Sequence, residues 1–294
     1  MLMNEVFISI ILGILGLLLG SFAGASVWRL RARELAYYKS SGKEYDHAEY
    51  KKLKKLNSSK LLNDRSTCLN CDYKLRWYDL IPLFSWIKLG GKCRKCRHNI
   101  GYMEPLIEFG LALFFVVSFL LWPLSLESSM GIISIIVWLM AGVGLAIMTV
   151  YDTKWFMLPD GVNYSVIGLG LIASIVTVVG SDDKLYAVGS VFGSVLILGG
   201  LYYLLYVVSK HKWVGFGDVK LGIGLGLLLA DWRLAFIALF MANLVGSLIV
   251  IPLMLLGKIG RKSRVPFGPM LIAGAVIAML VGNLLFEWYI SLLY

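Results

Sequence analysis

The sequence predicts an all-α polytopic membrane protein of about eight transmembrane helices, with one polar, cytoplasmic insert after the first helix. Three observations carry that expectation. Of the 294 residues, 59% are hydrophobic and only 16% are charged. The apolar residues gather into runs close to the ~20 residues needed to cross ~30 Å of hydrocarbon. A single long polar segment, 28–105, interrupts these runs and holds all four cysteines.

The runs place spans at 5–27, 106–123, 131–151, 162–180, 186–208, 219–230, 234–256 and 268–288, the sixth being the shortest. Residues 1–5 carry no positive charge, and the basic residues follow the first run. That run therefore stays uncleaved and inserts with the N-terminus outside. Threading the remaining spans from this start puts 28–105, 152–161, 209–218 and 257–267 in the cytoplasm, with Lys220 snorkelling to the same side. Among all Lys and Arg, only Lys184 and Arg233 then fall outside, as the positive-inside rule requires. The net charge of +10 is read as orientation and contact with anionic membrane lipids. Nucleic acid is excluded as a partner because no aromatic stacking platform or recognition motif accompanies the charges.

Three regions follow: a first transmembrane helix (1–27), a basic segment with a cysteine module (28–105) and a helical membrane bundle (106–294). In the second region, Arg29 to Arg65 is rich in Lys, Glu and Tyr. Ala36 to Leu56 reads as a helix, either solvated or lying at the headgroups with Lys51, Lys52, Lys54 and Lys55. The cysteines form two C-x-x-C knuckles, Cys68/Cys71 and Cys93/Cys96, with 21 residues between the pairs. Such spacing brings four thiolates to tetrahedral positions around Zn²⁺ and stabilises a segment too poor in apolar surface to fold alone. The insert is thus expected to be a zinc-binding one. Two disulfides are the first alternative, disfavoured in a reducing compartment. A redox pair is the second, without the βαβ pattern that usually accompanies it. His47, His98 and His211 are read as ordinary loop residues, since four cysteines complete the site. The apolar stretch from Trp77 to Trp86 is expected to pack on the zinc module or to dip into the membrane interface.

Two acidic motifs sit where apolar runs meet polar loops: Tyr151-Asp152, followed by Pro159-Asp160, and Gly215-Phe216-Gly217-Asp218. Asp152 and Asp218 fall at the same membrane edge and can face each other across a bundle. Carboxylates at such depth are functional candidates by default. Two of them close together share one proton, which supplies a base and an acid in one site. In an aspartyl peptidase the ionised partner activates water and the protonated one polarises the scissile carbonyl. Gly215 and Gly217 remove side chains beside Asp218, so a substrate backbone or helix can come close. Asp160 is read as a helix N-cap or a supporting residue. Two other readings stay open on the residues alone: aspartates that stop helices at the interface, and a proton-coupled transporter with a structural zinc loop. The transporter reading lacks an evident inverted repeat. The Gly-rich run Gly222 to Gly226 is read as close helix packing, not as a phosphate loop.

The ordered set of motifs resembles the bacterial type IV prepilin peptidases, polytopic aspartyl enzymes that remove the short basic leader of pilin-like precursors. The likeness covers most of the chain: Leu19 to Leu30 (LGSFAGASVWRL), Arg76 to Trp86 (RWYDLIPLFSW), Gly91 to Cys96 (GKCRKC), Pro105 to Glu108 (PLIE) and Pro266 to Pro269 (PFGP). It implies catalytic roles for Asp152 and Asp218, and type IV prepilin or pseudopilin precursors, of pilus and type II secretion systems, as partners. It also implies a bacterial cytoplasmic (inner) membrane location, with zinc module and aspartates on the cytoplasmic side. N-methylation of the new N-terminus with S-adenosylmethionine is implied for the region 28–105. Asp160, Glu104 and Glu108 are candidates for a surface that meets the basic leader, and Glu108 equally for orienting a helix or the zinc module. The chain departs from the pattern at Arg31 and Leu69, where Pro is common, and at Met103-Glu104, where Arg-Tyr is usual. Those positions bear on methylation, not on cleavage. The presenilin-like G-x-G-D proteases share the paired aspartate motifs but lack the knuckles and the PFGP run.

Overall fold

A computed structural model describes residues 2–57, 66–260 and 263–292. Residues 58–65, part of the expected Lys-rich half, and 261–262, in an expected loop, lie outside the described residues. The described chain is helical, with no strand beyond two isolated bridges, Thr67 to Lys74 and Lys92 to Asn99. It divides into two compact units, Met1–Val117 and Ser118–Tyr294.

In the first unit, α1 (Leu2–Ser40) runs well past the expected span end at residue 27. Hydropathy falls at Arg29, yet Leu30, Ala32, Leu35 and Ala36 are good helix formers, so the helix continues after the apolar run stops. The expected single helix over Ala36 to Leu56 is instead broken. Gly42 takes φ +68°, a left-handed turn that ends α1. Asp46 then caps α2 (His47–Leu53) by accepting the N–H groups of Ala48 and Glu49. Ala32 and Leu35 of α1 and Leu53 of α2 form a small core under Trp28, Tyr45 and Tyr50. Arg31 crosses the turn to Glu49 at 2.7 Å and also pairs with Glu34 at 3.0 Å. Lys51, Lys52, Lys54 and Lys55 are exposed, with Lys55 paired to Asp72. Past the cysteines come the short α3 (Phe84–Lys88) and α4 (Met103–Leu120). Gly20 lets α1 and α4 touch backbone to backbone, since a Cβ there would lie 2.5 Å from the Cα of Glu108.

The second unit contains α5 (Ser129–Trp155), α6 (Asp160–Gly180), α7 (Lys184–Val195), a π-turn (Leu196–Gly200), α8 (Leu201–Val208), α9 (Phe216–Leu229), α10 (Trp232–Leu255) and α11 (Gly268–Ser291). Its centre is α9, flanked by α6, α7, α8, α10 and α11. Leu221, Leu225 and Leu228 of α9 are in the core with Leu145, Leu198 and Leu271. Gly222 brings α9 against the π-turn, where a Cβ would lie 2.4 Å from the carbonyl oxygen of Leu198. The Gly222 to Gly226 run therefore serves helix packing, as expected. The last carbonyls of α9 are taken by neighbouring hydroxyls: Ser194 donates to Gly226 and Ser174 to Leu227, each at 2.7 Å.

Among the described residues, seven helical segments are long and apolar enough to cross a membrane: Asn4–Ser40, Met103–Leu120, Ser129–Trp155, Asp160–Gly180, Lys184–Val208, Trp232–Leu255 and Gly268–Ser291. They match seven of the expected runs. The remaining run, 219–230, is α9, whose 14 residues are shorter than the other seven. Large apolar side chains such as Phe236, Phe240, Leu248 and Phe192 point away from the protein, as they do where the solvent is lipid.

Candidate active site

Asp152 occupies the last turn of α5, which ends when Phe156 takes φ +53° and donates its N–H to the carbonyl of Asp152. Its side chain is buried at 6% exposure. One carboxylate oxygen, Oδ2, accepts the N–H of Gly268, the first residue of α11, at 3.0 Å. A Cβ at residue 268 would lie 2.9 Å from that oxygen, so glycine is what allows the contact.

Asp218 lies in the first turn of α9. Its Oδ2 accepts the N–H of Gly215 at 3.1 Å, a reach back to the helix start that satisfies one of the free N-terminal amides. Asp152 and Asp218 are close enough for the charge on one to act on the other, and Tyr202 is also within reach of Asp218. Leu158, in the loop between α5 and α6, fills the space between the two motifs. It meets Gly217 at 3.1 Å and Gly268 at 3.5 Å, measured to a Cβ built on each glycine. The two expected glycines thus face different partners: Gly217 admits Leu158, and Gly215 faces the Asp218 carboxylate.

Asp160 differs from the expectation of a cap. Pro159 is the N-cap of α6, because its fixed φ suits a helix entry, and no side chain caps the helix. Asp160 is the first helical residue, exposed, and accepts from Lys220 of α9 at 2.6 Å. Residues not singled out in the sequence also meet here. Gly268 was visible only as part of the Pro266 to Pro269 run, with no role attached. Asn163 is 1% exposed and donates from Nδ2 to the carbonyl of Gly217 at 3.4 Å. Its signal was a lone amide on the apolar face of a span, one helical turn after Asp160.

In the first unit, the four cysteine Sγ atoms lie within 4.8 Å of one another. They are free thiols: Cys68 and Cys96 are 3.8 Å apart, Cys71 and Cys93 3.9 Å, far beyond a disulfide length. The knuckles repeat one turn twice. Cys68 and Cys93 donate N–H to Tyr73 and His98, accept from Asp72 and Arg97, and both accepting turns close with φ near +58° (Asp72 +57°, Arg97 +59°). The backbone N–H of His98, then the Asn70 amide, hold the Cys96 thiol down to about 6. Burial pushes Cys68 up to about 12. A donor set of four convergent sulfurs fits a metal that takes thiolates in tetrahedral geometry.

The apolar stretch between the knuckles divides its faces. Trp86 donates to Gly101 at 2.8 Å and stacks against Gly91, while Asp79 pairs with Arg94 at 2.7 Å. Trp77, Phe84 and Ile87 are exposed. Glu108 is buried and accepts the Leu83 N–H at 2.7 Å, tying this stretch to α4. Glu104 accepts from the indole of Trp28 at 3.1 Å.

Comparison with known proteins gives these positions a frame. Residues 14–122 match the bacterial peptidase A24 N-terminal domain, and residues 139–251 match the type IV leader peptidase family. A prepilin leader peptidase/N-methyltransferase of Pseudomonas aeruginosa is 31% identical over 95% of this chain and 92% of its own length. The chain belongs to the type IV leader peptidase family. Members sharing the same name from Legionella pneumophila (29% identical over 97% of this chain and 95% of theirs) and Bacillus subtilis (28%, 79% and 88%) are also similar. No solved structure matches the chain. As a member of this family it is a multi-pass membrane peptidase. The matched leader peptidase region contains Asp152, Asp160, Asn163 and Asp218, the N-terminal match contains the four cysteines, and Gly268 lies beyond both.

Proposed function

We propose that the protein cleaves the basic leader from type IV prepilin-like precursors by an aspartyl-dyad mechanism, with Asp152 and Asp218 as the catalytic pair. The observation that supports this reading is that Asp152 in the last turn of α5 and Asp218 in the first turn of α9 each accept a backbone amide, with Leu158 against the glycine beside each of them. One carboxylate takes a proton from water as it attacks the scissile carbonyl. The other gives its proton to the developing oxyanion; as the tetrahedral intermediate collapses, the first carboxylate passes the proton it took from water to the leaving amine and the second recovers its own.

The substrate chemistry agrees with the site. A prepilin presents a cationic leader followed by an apolar helix, so its cleavage point lies at a membrane boundary, here assigned to the cytoplasmic face by the Lys and Arg distribution. The apolar helix would bind laterally in the bundle. Of the three acidic residues considered for the leader, Asp160 is exposed, whereas Glu104 and Glu108 already serve Trp28 and Leu83. Glu108 is therefore assigned to holding the stretch between the knuckles.

Zn²⁺ on Cys68, Cys71, Cys93 and Cys96 would hold the two knuckles together as a structural ion. N-methylation of the new N-terminus, with S-adenosylmethionine as donor, is assigned to the first unit on the strength of its match to the family's N-terminal domain. N-terminal mass spectrometry of a prepilin-like precursor, incubated with the protein and S-adenosylmethionine, tests both activities. Cleavage after the leader by wild type, but not by Asp152→Asn or Asp218→Asn, supports the dyad, and a further ~14 Da supports methylation. Precursor left uncut by folded wild-type protein would contradict this reading of the substrate and the site.

A further inference from the structure

The second unit holds a cavity of about 260 Å³, many times the volume of one water. Its lining includes Leu228 and Leu229 at the end of α9, whereas Asp218 lies in the first turn of that helix. The cavity and Asp218 are thus at opposite ends of α9, about 20 Å apart along the helix axis. Its inner wall is apolar, with Trp138 and Leu228 buried. Tyr186, Asp231 and Arg233 are its more exposed lining residues and form the rim. They lie where the spans Asp160–Gly180, Lys184–Val208 and Trp232–Leu255 begin or end, which is headgroup depth for a chain in a bilayer. Leu185 and Trp232, next to rim residues, are exposed as well, as apolar and aromatic side chains are at a lipid boundary.

The rim is specific in its charges. The charged side chains that line the cavity are Asp231 and Arg233, one of each sign. Arg233 donates to Asp231 from Nε at 3.2 Å and from Nη2 at 2.7 Å, which leaves its Nη1 with no hydrogen bond among the described residues. Asp231 accepts three N–H groups of Arg233, the backbone one included, of the roughly four a carboxylate can take. Both side chains keep solvent-accessible surface, 37% for Arg233 and 22% for Asp231. We propose that this cavity binds a phospholipid with a zwitterionic, primary-ammonium headgroup, in the leaflet opposite the aspartates. The phosphate meets Nη1 of Arg233, the ammonium donates to Asp231, and the first methylenes of the chains enter the apolar interior. A headgroup with negative charge alone would meet Arg233 but be repelled by Asp231. A quaternary ammonium has no N–H to give the carboxylate. The inference does not depend on the catalytic reading, since it concerns the other end of α9.

The test uses the full-length protein, delipidated in detergent and titrated with phosphatidylethanolamine, phosphatidylglycerol or phosphatidylcholine. Native mass spectrometry counts the lipid retained, and thermal unfolding reads its effect. Wild type is expected to hold phosphatidylethanolamine about fivefold or more tighter than the other two. Near saturation its unfolding midpoint should rise by about 5 °C or more, because a ligand of the folded state stabilises it. Thr177→Phe fills the cavity from its wall, and Arg233→Gln removes the phosphate contact. Each should weaken phosphatidylethanolamine binding about 10-fold or more and abolish the rise, measured against that variant's own lipid-free midpoint. Should Thr177→Phe not fold, the smaller Thr177→Leu is read with Arg233→Gln by the same two measures. Three lipids held equally well by wild type, or phosphatidylglycerol held best, would overturn the headgroup assignment and the proposal with it. Binding and midpoint rise left intact in the folded Thr177 and Arg233 variants would place the lipid elsewhere and overturn it too. So would a wild-type protein that retains no lipid and associates with a second copy of itself instead.

Discussion

Asp152 is held by a backbone amide 116 residues further along the chain, the N–H of Gly268. A backbone donor at the start of a helix has little freedom to move, so it orients the carboxylate more firmly than a flexible side chain would. Gly268→Ala places a methyl 2.9 Å from Oδ2 and must push the carboxylate aside. Cleavage should fall about 10-fold or more with the fold retained, read as initial rate beside a thermal unfolding curve. The ion pair between Asp160 and Lys220 is of another kind: it is exposed on the Asp160 side and screened by solvent. Asp160→Asn should leave stability and kcat nearly unchanged, and KM for a precursor with a basic leader should rise a few-fold, most at low salt. An unchanged KM at low salt would remove Asp160 from the leader surface. Neither the contact of Gly268 with Asp152 nor that of Asn163 with the Gly217 carbonyl was legible. No spacing rule links residues so far apart in sequence, and an uncharged amide on an apolar helix face looks like any satisfied core residue.

At the scale of elements, hydropathy made most helices legible because a lipid-facing helix advertises its length. What it could not show is where helicity outlasts apolarity, as in α1, whose polar end at Ser40 is set by the turn at Gly42. It also left α9 with the appearance of a short span. Its all-round apolarity reflects neighbours on every side, and the glycines in it are the price of close approach. Gly222→Val adds bulk where even a Cβ meets the Leu198 carbonyl at 2.4 Å. It should destabilise the second unit by about 1–3 kcal/mol, seen as a lower unfolding midpoint in detergent, whatever its effect on activity. The cysteine knuckles were legible in full as a spacing pattern, and their free, convergent thiols agree with a metal and not with disulfides. Metal binding must strip the proton from Cys68, whose thiol titrates at about 12, while Cys96, at about 6, is already a thiolate at neutral pH. Affinity for zinc therefore falls as pH falls, most steeply once Cys96 also takes a proton below about 6. Cys68→Ser should lower bound zinc, measured by metal analysis, and increase proteolysis of the insert. Full zinc content in that variant would contradict the four-sulfur site.

For the whole molecule, the two matched regions and the two compact units divide the work proposed here: metal and methyl transfer in the first, cleavage in the second. The division was legible in the alternation of one polar, cysteine-bearing segment with a long apolar remainder. The family was legible from the order of its short motifs, none of them specific alone. The proposed pairing of Asp152 with Asp218 needs both motifs to be at one depth, which the charge distribution of the loops suggested; in the second unit Leu158 touches both Gly217, beside Asp218, and Gly268, beside Asp152. The most direct test of that pairing is a double-mutant cycle on cleavage, comparing Asp152→Asn, Asp218→Asn and the double variant by single-turnover rate on one prepilin-like precursor. If the two carboxylates act as a unit, each single variant loses about 10³-fold or more and the double variant loses no more than the worse single one. Losses that multiply, or a single variant that cuts within about tenfold of wild type, would contradict a shared dyad.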